Sequence, residues 1–376
     1  MTFSQLDENY MASAIDLSRL GEGDTHPNPC VGCVVVHEGE IVGEGYHSRA
    51  GEAHAEILAL AQAADKARGA TMYINLEPCC HQGRTPPCTD TIARAGIERV
   101  VCAMEDPNPM VSGGGFDVLR TAGVDVEFGL LESEARWLNR GFITRMLSGR
   151  PWVALKIGAT LDGRTATESG ESQWITGLEA REDVHKQRAR YSAIMTGIGT
   201  VAADDPQMTV RLVATEKEPL RVVLDTNLRI ASDAQIIGDD GNILILTGSE
   251  DDKKRVVLEA KGAEIVSLPI ETNNGGGIDL QSVLEELGLR DHNDVFVECG
   301  GKLAGSLLEH GLVDELLVYY APSVLGGSAR GMFDTQTIEK LIDRPQFRFH
   351  DVTQIGDDVR ARVVYPPSME RIGCGV

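Results

Sequence analysis

The stretch NLEPCCHQGRTPPC, residues 75–88, holds three of the eight cysteines in a chain of 376 residues, together with one histidine. Eight cysteines spread over a chain of this length are not the dense framework of a small secreted domain. The N-terminal residues also lack the basic region and the apolar run of a signal peptide. We therefore expect these cysteines to be reduced and the stretch to bind a metal ion.

A second fragment, AGEAHAEILAL at residues 50–60, supplies the other half of a zinc-site pattern. His54-Ala55-Glu56, followed later by Pro78-Cys79, matches most of a known signature of zinc-dependent nucleobase deaminases, His-x-Glu followed by Pro-Cys-x-x-Cys. The last cysteine is displaced, because Cys88 lies nine positions after Cys79 instead of three.

The chemistry of hydrolytic deamination explains these residue types. One neutral imidazole (His54) and two thiolates (Cys79 and Cys88) satisfy Zn²⁺ and leave its fourth tetrahedral position open to water. Zinc lowers the pKa of that water to near ~7. A carboxylate that is not a ligand must then carry a proton to the substrate nitrogen. We expect Glu56 to be that carboxylate and the zinc site to be catalytic.

Other assignments of the cysteines are open at this point. The zinc site could be purely structural, and His81 could be a further ligand. Cys79 is preferred over Cys80 because it directly follows the proline, as the ligand does in the signature. Cys30 and Cys33 have the spacing of a redox or zinc pair, but their alternating apolar setting, CVGCVVV, favours buried strand cysteines.

The order of predicted elements divides the chain into two α/β domains, over residues 1–148 and 149–376. Strand–helix alternation in the first predicts an α/β/α sandwich with a mainly parallel sheet. A Ser-Gly-Arg-Pro break at 148–151 marks the junction. The second domain again alternates strands and helices and is expected to end in antiparallel strands. The last residues, 368–376, are expected to form a frayed tail.

Two glycine turns in the second domain indicate nucleotide binding. Gly197-x-Gly199-x-x-Ala202 follows a predicted strand and resembles a shortened dinucleotide fingerprint, which is weak by itself. In VFVECGGKLAGSLLEHG a strand leads directly into Gly300-Gly301 and a helix, which aims free backbone N–H groups at a phosphate. No acidic ribose ligand is placed convincingly, so a standard NAD-binding Rossmann domain fits poorly.

The net charge of −22, from 35 basic and 57 acidic residues, disfavours a general nucleic-acid binder, because such a surface repels a polyphosphate backbone. A few arginines can still bind one phosphate group locally. No stretch has the length and apolar composition of a transmembrane helix. We expect a cytoplasmic protein without nucleic-acid or membrane partners.

Several longer motifs resemble one known family over nearly the whole chain. The first half contains HPNPCVGCVVV, GYHSRAGEAHAE, NLEPCCHQGRTPPC and DPNPMV in that order, and the second contains LKIGATLDGRTA, GESQWIT, MTGIGTVAADDPQMTVR and VECGGKLAGSLLEHGLVDELLVYYAP. These runs are similar to the bifunctional riboflavin-biosynthesis deaminase/reductases. The nine-position cysteine step is the spacing of that family.

The resemblance implies two consecutive reactions. The first is hydrolytic deamination of 2,5-diamino-6-(5-phosphoribosylamino)pyrimidin-4(3H)-one, in a cytidine-deaminase-like domain. The second is NADPH-dependent reduction of the ribosyl side chain to give 5-amino-6-(5-phosphoribitylamino)uracil, in a dihydrofolate-reductase-like domain. By motif matching, His54, Cys79 and Cys88 are zinc ligands, Glu56 is the proton donor and Asn28 contacts the pyrimidine. The family usually has a basic residue where this chain reads Ser112-Gly113-Gly114-Gly115, which argues against a phosphate contact there.

The resemblance also implies two sets of reductase residues. Residues implied to contact NADPH are Gly158, Trp174, Thr200, Asp204, Thr226, Gly300, Gly301, Lys302, Leu303, Ala304, Gly305 and Ser306. Residues implied to contact the substrate are Ser172, Arg188, Met208, Arg211 and Glu298. Read without the family, Arg188 could equally lie on a solvated helix face. Lys156 and Asp204 are the candidate general acids. The reductase fold commonly dimerises, so a homo-oligomer is expected.

Two competing functions belong to other classes. A nucleoside or tRNA deaminase, acting on cytidine or adenosine and fused to a nucleotide-binding module, would share the zinc motif. This hypothesis assigns no reaction to the second half of the chain, and the acidic surface disfavours tRNA as its substrate. A non-enzymatic nucleotide-binding module with a structural zinc clamp is the third hypothesis.

Overall fold

The structure is a computed structural model that describes residues 3–81, 86–109, 111–215, 217–271 and 276–375. The chain divides into two compact units, Met1–Gly149 with Met369–Val376, and Arg150–Ser368. Among the described residues, none of the helices has both the length and the apolar character needed to cross a lipid bilayer.

The first unit is a five-stranded sheet with helices on both faces. Its strands are β1 (Gly32–His37), β2 (Glu40–Tyr46), β3 (Thr71–Ile74), β4 (Arg99–Cys102) and β5 (Asp125–Phe128), in the spatial order β2-β1-β3-β4-β5. Its helices are α1 (Gln5–Ser18), α2 (Ala55–Ala63), α3 (Cys88–Ala95), α4 (Gly114–Thr121), α5 (Glu132–Leu138) and α6 (Arg140–Ser148). Short 3₁₀ turns follow α1 and α2.

The expectation of a mainly parallel sheet is wrong for the first two strands. β1 pairs antiparallel with both β2 and β3, whereas β3, β4 and β5 are parallel. The reason is the two-residue turn Glu38-Gly39, where both residues have positive φ, 51° and 81°. Such a turn matches the twist of a hairpin and returns the chain beside the strand it has just left.

Glycines let two helices lie close to the sheet. A Cβ on Gly43 or Gly45 of β2 would lie 2.1 Å from Ala59 O or 2.4 Å from Ala55 O of α2. On the opposite face, a Cβ on Gly32 would lie 2.1 Å from Ala14 O of α1. These close approaches fix α2 on the sheet and thereby place the residues at its N-terminus.

The second unit is built on a nine-stranded sheet in the order β11-β10-β9-β8-β12-β6-β13-β16-β15, with a separate pair of β7 and β14. Its strands are β6 (Trp152–Thr160), β7 (Arg164–Ala166), β8 (Ala193–Gly197), β9 (Leu220–Leu224), β10 (Ile243–Thr247), β11 (Glu264–Ser267), β12 (Asp294–Glu298), β13 (Glu315–Ala321), β14 (Arg330–Gly331), β15 (Arg348–Ile355) and β16 (Asp358–Val364). Its helices are α7 (Leu178–Arg190), α8 (Ile198–Asp204), α9 (Asp252–Glu259), α10 (Leu280–Leu289) and α11 (Gly301–Glu309), with a 3₁₀ turn at Leu341–Asp343.

The strands from β11 to β13 are parallel, and β16 and β15 add an antiparallel end, as expected for the C-terminal strands. The two faces of this sheet differ in chemistry. Val153, Leu155 and Val297 point into a large apolar cluster on one face. Lys156 and Glu298 alternate with them and point to the other face, because successive side chains of a strand face opposite sides.

The last helix, α12 (Pro366–Arg371), corrects the expectation of a frayed tail. Ile372 and Cys374 beyond it are buried. Arg136 donates a hydrogen bond to Ile372 O at 3.1 Å, and the Cys374 thiol lies 3.5 Å from Ser133 O. The buried side chains of Ile372 and Cys374 thus pack this otherwise polar segment against α5.

Candidate active sites

His54, Cys79 and Cys88 lie together in the first unit. His54 caps α2, Cys88 is the first residue of α3, and Cys79 lies in the loop that follows β3. His54 Nδ1 lies 3.2 Å from Cys88 Sγ and 3.7 Å from Cys79 Sγ. One ligand atom from each residue lies within 4.8 Å of the other two. Two helix N-termini therefore converge on one set of three donors.

The donor set fits Zn²⁺. Hydrogen bonding from the Cys88 thiol, together with that from His54, lowers the pKa of Cys79 to about 4 even though burial opposes it. The backbone N–H of Cys88 also donates to Cys79 Sγ, at 3.4 Å. An anionic sulfur beside a second sulfur and an imidazole is a donor set that zinc prefers. Within the described residues, neither Cys80 nor His81 joins this group.

Glu56 lies in the first turn of α2, two residues after His54, and its side chain is only 3% exposed. Burial raises the pKa of its carboxyl, and the nearby Cys79 adds to the effect. The neighbouring Cys88 and the charge of His54 oppose this rise. A buried carboxyl with a raised pKa beside three metal donors is suited to accept and return a proton.

His47 is a neighbour of this site that the sequence analysis did not select. Its Nδ1 lies 3.2 Å from Ala53 O, so Nδ1 carries the proton and Nε2 accepts from Asn28 Nδ2 at 3.0 Å. Its ring meets that of His54 edge-on, with centroids 5.6 Å apart. Burial lowers the pKa of His47. The histidine thus holds Asn28 beside the metal donors. Its sequence signals were its place directly after β2 and within the motif GYHSRAGEAHAE.

The carboxylate of Glu77 binds backbone N–H groups of the glycine run that follows DPNP. Its buried carboxylate accepts the backbone N–H groups of Asp106 at 3.1 Å, Gly113 at 2.9 Å and Gly115 at 2.8 Å. These N–H groups are therefore engaged by a carboxylate of the same unit. Burial also raises the pKa of Asp106 to about 6.

The other cysteines have different surroundings. Cys33 lies on β1 within the apolar cluster between the sheet and α2, and burial raises its pKa strongly. The Cys30 sulfur lies 3.5 Å from the Thr25 hydroxyl. Both are buried strand or strand-entry cysteines, as the alternating pattern predicted. Cys80 is half-buried, and burial raises its pKa.

In the second unit, Glu298 is the centre of a charged cluster. It ends β12, and its carboxylate accepts from Arg188 Nε at 2.5 Å and lies 3.6 Å from Lys156 Nζ. Burial would raise the pKa of Glu298, but Arg188 and Lys156 lower it to about 2. Glu298 is therefore anionic near neutral pH and holds two cationic side chains in place.

Arg188 does not lie on a solvated helix face, since it is only 9% exposed. Besides Glu298, it donates to Thr209 O at 2.9 Å. Met208, next to Thr209, is buried and has φ of +53°, whereas Arg211 is exposed. Helix α7 thus brings Arg188 to Glu298 at the end of β12. The segment 208–211, which contains Met208 and Arg211, is attached to the same arginine.

Ser172 and Trp174 lie in the loop before α7. The Trp174 side chain is 69% exposed, and the Arg181 guanidinium lies 4.3 Å from its ring centroid. Asp358 accepts the N–H of Gly177 at 2.7 Å and so fixes the end of this loop on β16. An exposed indole held on one side is a surface on which a flat ring can stack.

The implied cofactor residues follow the carboxyl ends of parallel strands. Gly158 lies in β6, Thr226 follows β9, and Thr200 and Asp204 lie on α8 after β8. Ligands of open α/β sheets bind at this edge. A Cβ on Gly300 would meet no atom within 4 Å, which leaves room for a ligand at the start of α11.

The rest of the glycine-rich run is used partly for packing. A Cβ on Gly305 would lie 2.2 Å from Asp334 O, and one on Gly301 would lie 3.2 Å from Gly331 O. Ala304 is fully buried in the apolar cluster. Lys302 is exposed, whereas Leu303 and Ser306 are half-buried. Cofactor contacts from Ala304 and Gly305 therefore have to come from backbone atoms.

Comparisons with known proteins agree with both halves. Residues 4–104 match the family described as the cytidine and deoxycytidylate deaminase zinc-binding region, and residues 151–361 match the RibD C-terminal domain. The chain is 47% identical over 370 residues to the riboflavin biosynthesis protein RibD of Escherichia coli (strain K12), covering 95% of this chain and 99% of that protein. It is 42% identical over 356 residues to that of Aquifex aeolicus (strain VF5), covering 94% and 97%.

Solved structures agree over the same length. Acinetobacter baumannii RibD, form 1, superposes with a TM-score of 0.87 at 40% identity, covering 96% of this chain and 99% of that chain. A diaminohydroxyphosphoribosylaminopyrimidine deaminase/5-amino-6-(5-phosphoribosylamino)uracil reductase of Thermotoga maritima superposes with a TM-score of 0.84 at 34% identity, covering 96% and 99%.

These matches confirm the expected fold class, a cytidine-deaminase-like domain followed by a dihydrofolate-reductase-like α/β domain. They overturn the alternative in which the second half is an unspecified nucleotide-binding module, and with it the non-enzymatic reading. The sequence identity extends along almost the full chain. It includes both the unit with the three grouped metal donors and the buried glutamate and the unit with the charged cluster at the end of β12. The chain therefore belongs to the RibD family, the bifunctional deaminase/reductases of riboflavin biosynthesis.

Proposed function

We propose that this chain deaminates 2,5-diamino-6-(5-phosphoribosylamino)pyrimidin-4(3H)-one and then reduces the ribosyl side chain with NADPH to give 5-amino-6-(5-phosphoribitylamino)uracil. The deaminase is assigned to the first compact unit, Met1–Gly149 with Met369–Val376, and the reductase to the second, Arg150–Ser368. The observation that carries the proposal is the convergence of His54, Cys79 and Cys88 beside buried Glu56. The relative from Thermotoga maritima is named for the same two activities.

In the deaminase, His54, Cys79 and Cys88 would hold the zinc ion. Zinc bound there lowers the pKa of a water molecule to near ~7, which supplies the nucleophile at neutral pH. Glu56 accepts the proton and transfers it to the substrate nitrogen, and its burial keeps that proton from bulk solvent. Asn28, held by His47, orients the pyrimidine ring.

In the reductase, Gly158, Trp174, Thr200, Asp204, Thr226 and the run from Gly300 to Ser306 would hold NADPH, which supplies the hydride. Ser172, Arg188, Met208, Arg211 and Glu298 would hold the substrate. Arginine suits the phosphate of the substrate because its planar fork offers paired donors. Lys156, fixed by Glu298, is better placed than exposed Asp204 to donate a proton, since Lys156 belongs to the same cluster as the substrate residues.

One assay tests this function. Purified protein given the diaminopyrimidine substrate and NADPH is expected to release ammonia first and to oxidise NADPH afterwards. A zinc chelator should abolish ammonia release yet leave the reduction of separately supplied deaminated substrate unchanged. Ammonia release that survives complete zinc removal would contradict the zinc mechanism. Turnover of free cytidine with no NADPH oxidation would contradict the whole assignment.

We also propose that the chain forms a homo-oligomer through the reductase unit. Strand β15 is the last strand of the nine-stranded sheet, and Phe349 on it is 75% exposed. An open strand edge with exposed apolar side chains is a site for pairing with another chain.

The net charge of −22 supports a small-molecule substrate over nucleic acid, and the eight free cysteines support a cytoplasmic location.

A Phe349→Asp substitution is expected to shift the protein toward monomers, because it places a charge on the proposed interface. Light scattering coupled to size-exclusion chromatography measures the mass. Val256→Asp on α9, where Val256 is also exposed, is the matched control and should leave the mass unchanged. A wild-type protein that is monomeric at micromolar concentrations would refute the proposal.

A further inference from the structure

We propose that His185 is a positioning residue, which holds the backbone of Arg211 so that Arg188 and Arg211 act as one anion-binding pair for the substrate phosphate. This inference rests on the proposed reductase function. It adds a role for a residue outside the set that the family resemblance implies to contact the substrate.

The contacts come from one face of α7. His185 is 6% exposed, and its Nδ1 accepts the backbone N–H of Arg211 at 3.0 Å. Three residues later on the same helix, Arg188 donates to Thr209 O at 2.9 Å. Positions three apart on a helix are neighbours on its surface. The segment 209–211 is thus attached to α7 at two points.

The same segment orients the Arg211 side chain. Arg211 Nη1 donates to Thr209 Oγ1 at 2.8 Å, and Val210 N donates to Glu218 Oε2 at 3.0 Å. His185 thus fixes the backbone of Arg211, and Thr209 holds the exposed guanidinium of the same residue. Arg188 is held by Glu298 from the other side. Both arginines are therefore held in place before a ligand binds.

Burial and the charged groups around His185 keep its ring neutral, so that Nδ1 can accept a hydrogen bond. The charges of Arg188, Arg211 and Lys156 lower the pKa of His185, and the charge of Glu298 raises it. Burial, then the charges of Arg188 and Arg211, lower the pKa of His185 to about 4, so the ring is neutral near pH 7 and Nδ1 can accept. Burial, together with the charge of Arg188, also lowers the pKa of Arg211. Two cations that repel each other in this way favour a bound phosphate.

A purely structural role for His185 makes a different prediction from a positioning role. If the histidine only packs α7 against the segment 208–211, its loss should weaken turnover of every reductase substrate equally. If it positions Arg211 for the phosphate, its loss should affect only substrates that carry the phosphate. The comparison of the phosphorylated substrate with its dephosphorylated counterpart separates these two roles.

The test uses the full chain with His185→Leu, His185→Ala and His185→Asn. Leucine and alanine lack an acceptor, whereas Asn Oδ1 can take the place of His Nδ1. We expect the Leu and Ala variants to raise the reductase KM for the phosphorylated deaminated substrate about tenfold with kcat nearly unchanged, because ground-state binding is lost. With the dephosphorylated substrate, kcat/KM should match that of wild type. His185→Asn should resemble wild type with both substrates.

Three outcomes would overturn the role of His185. They are equal losses on both substrates, an unchanged KM in both the Leu and the Ala variant, and an Asn variant as impaired as the Leu variant. If one variant does not fold, as judged by its thermal unfolding, the other acceptor-free variant and the Asn variant still decide the question. A wild-type protein that oxidises no NADPH with the deaminated substrate would overturn the proposed function as well.

Discussion

Replacing Glu56 by glutamine is expected to leave zinc bound and to reduce ammonia release by roughly 10²–10⁴-fold, the usual contribution of a positioned proton carrier. Glutamine keeps the size and much of the hydrogen bonding of the buried side chain but cannot accept and return a proton. Because His54, Cys79 and Cys88 are untouched, zinc content measured by atomic absorption should equal that of wild type.

The matched control for this variant is Glu40→Gln. Glu40 is an exposed carboxylate at the start of β2 in the same unit, so its loss changes the net charge equally. It should deaminate at the wild-type rate. If Glu56→Gln retained full activity with full zinc content, another group would have to carry the proton, and the chemistry assigned to Glu56 would be wrong.

Replacing Glu298 by glutamine is expected to lower reductase kcat/KM by about 100-fold, comparable to the loss of one preorganised electrostatic group. Glu298 neutralises Arg188 at 2.5 Å and lies 3.6 Å from Lys156. Without its charge, two partly buried cations lose their shared partner and repel each other, so neither keeps its position. The initial rate of NADPH oxidation with the deaminated substrate measures the effect.

For this second variant, Glu250→Gln serves as the control, because Glu250 is an exposed carboxylate of the same unit. It should reduce the substrate at the wild-type rate. Ammonia release should be unchanged in both variants, since neither residue lies in the deaminase unit. A Glu298→Gln protein with normal kcat and normal KM would show that the charged cluster is not part of the reductase site.

The zinc donors could be chosen from sequence because their signal is local. His54 and Cys88 each stand at the start of a helix, and Pro78-Cys79 follows a strand, so residue type and short spacing together identify the ligands. The choice of Cys79 over Cys80 needed only the position of one proline, and the structure brings Cys79 to the other donors. The family resemblance then supplied the reductase residues other than Gly300 and Gly301, which the glycine turn had already indicated.

The chain folds into the two α/β units that its alternation of strands and helices predicts. The antiparallel start of the first sheet does not follow from the alternation of strands and helices, because that alternation does not report strand direction. It follows from the turn at Glu38 and Gly39, where both residues have positive φ.

The sequence alone thus selected the proposed zinc ligands and the proposed proton carrier and predicted the two-part α/β organisation, since residues close in sequence share a helix start, a turn or a strand. Only the tertiary structure decided that Arg188 is buried against Glu298, 110 positions away, and that Glu77 uses the N–H groups of the glycine run 36 and 38 positions after it. Such contacts depend on how strands are ordered in a sheet. That order arises from packing of the whole chain, and no short stretch of residues encodes it.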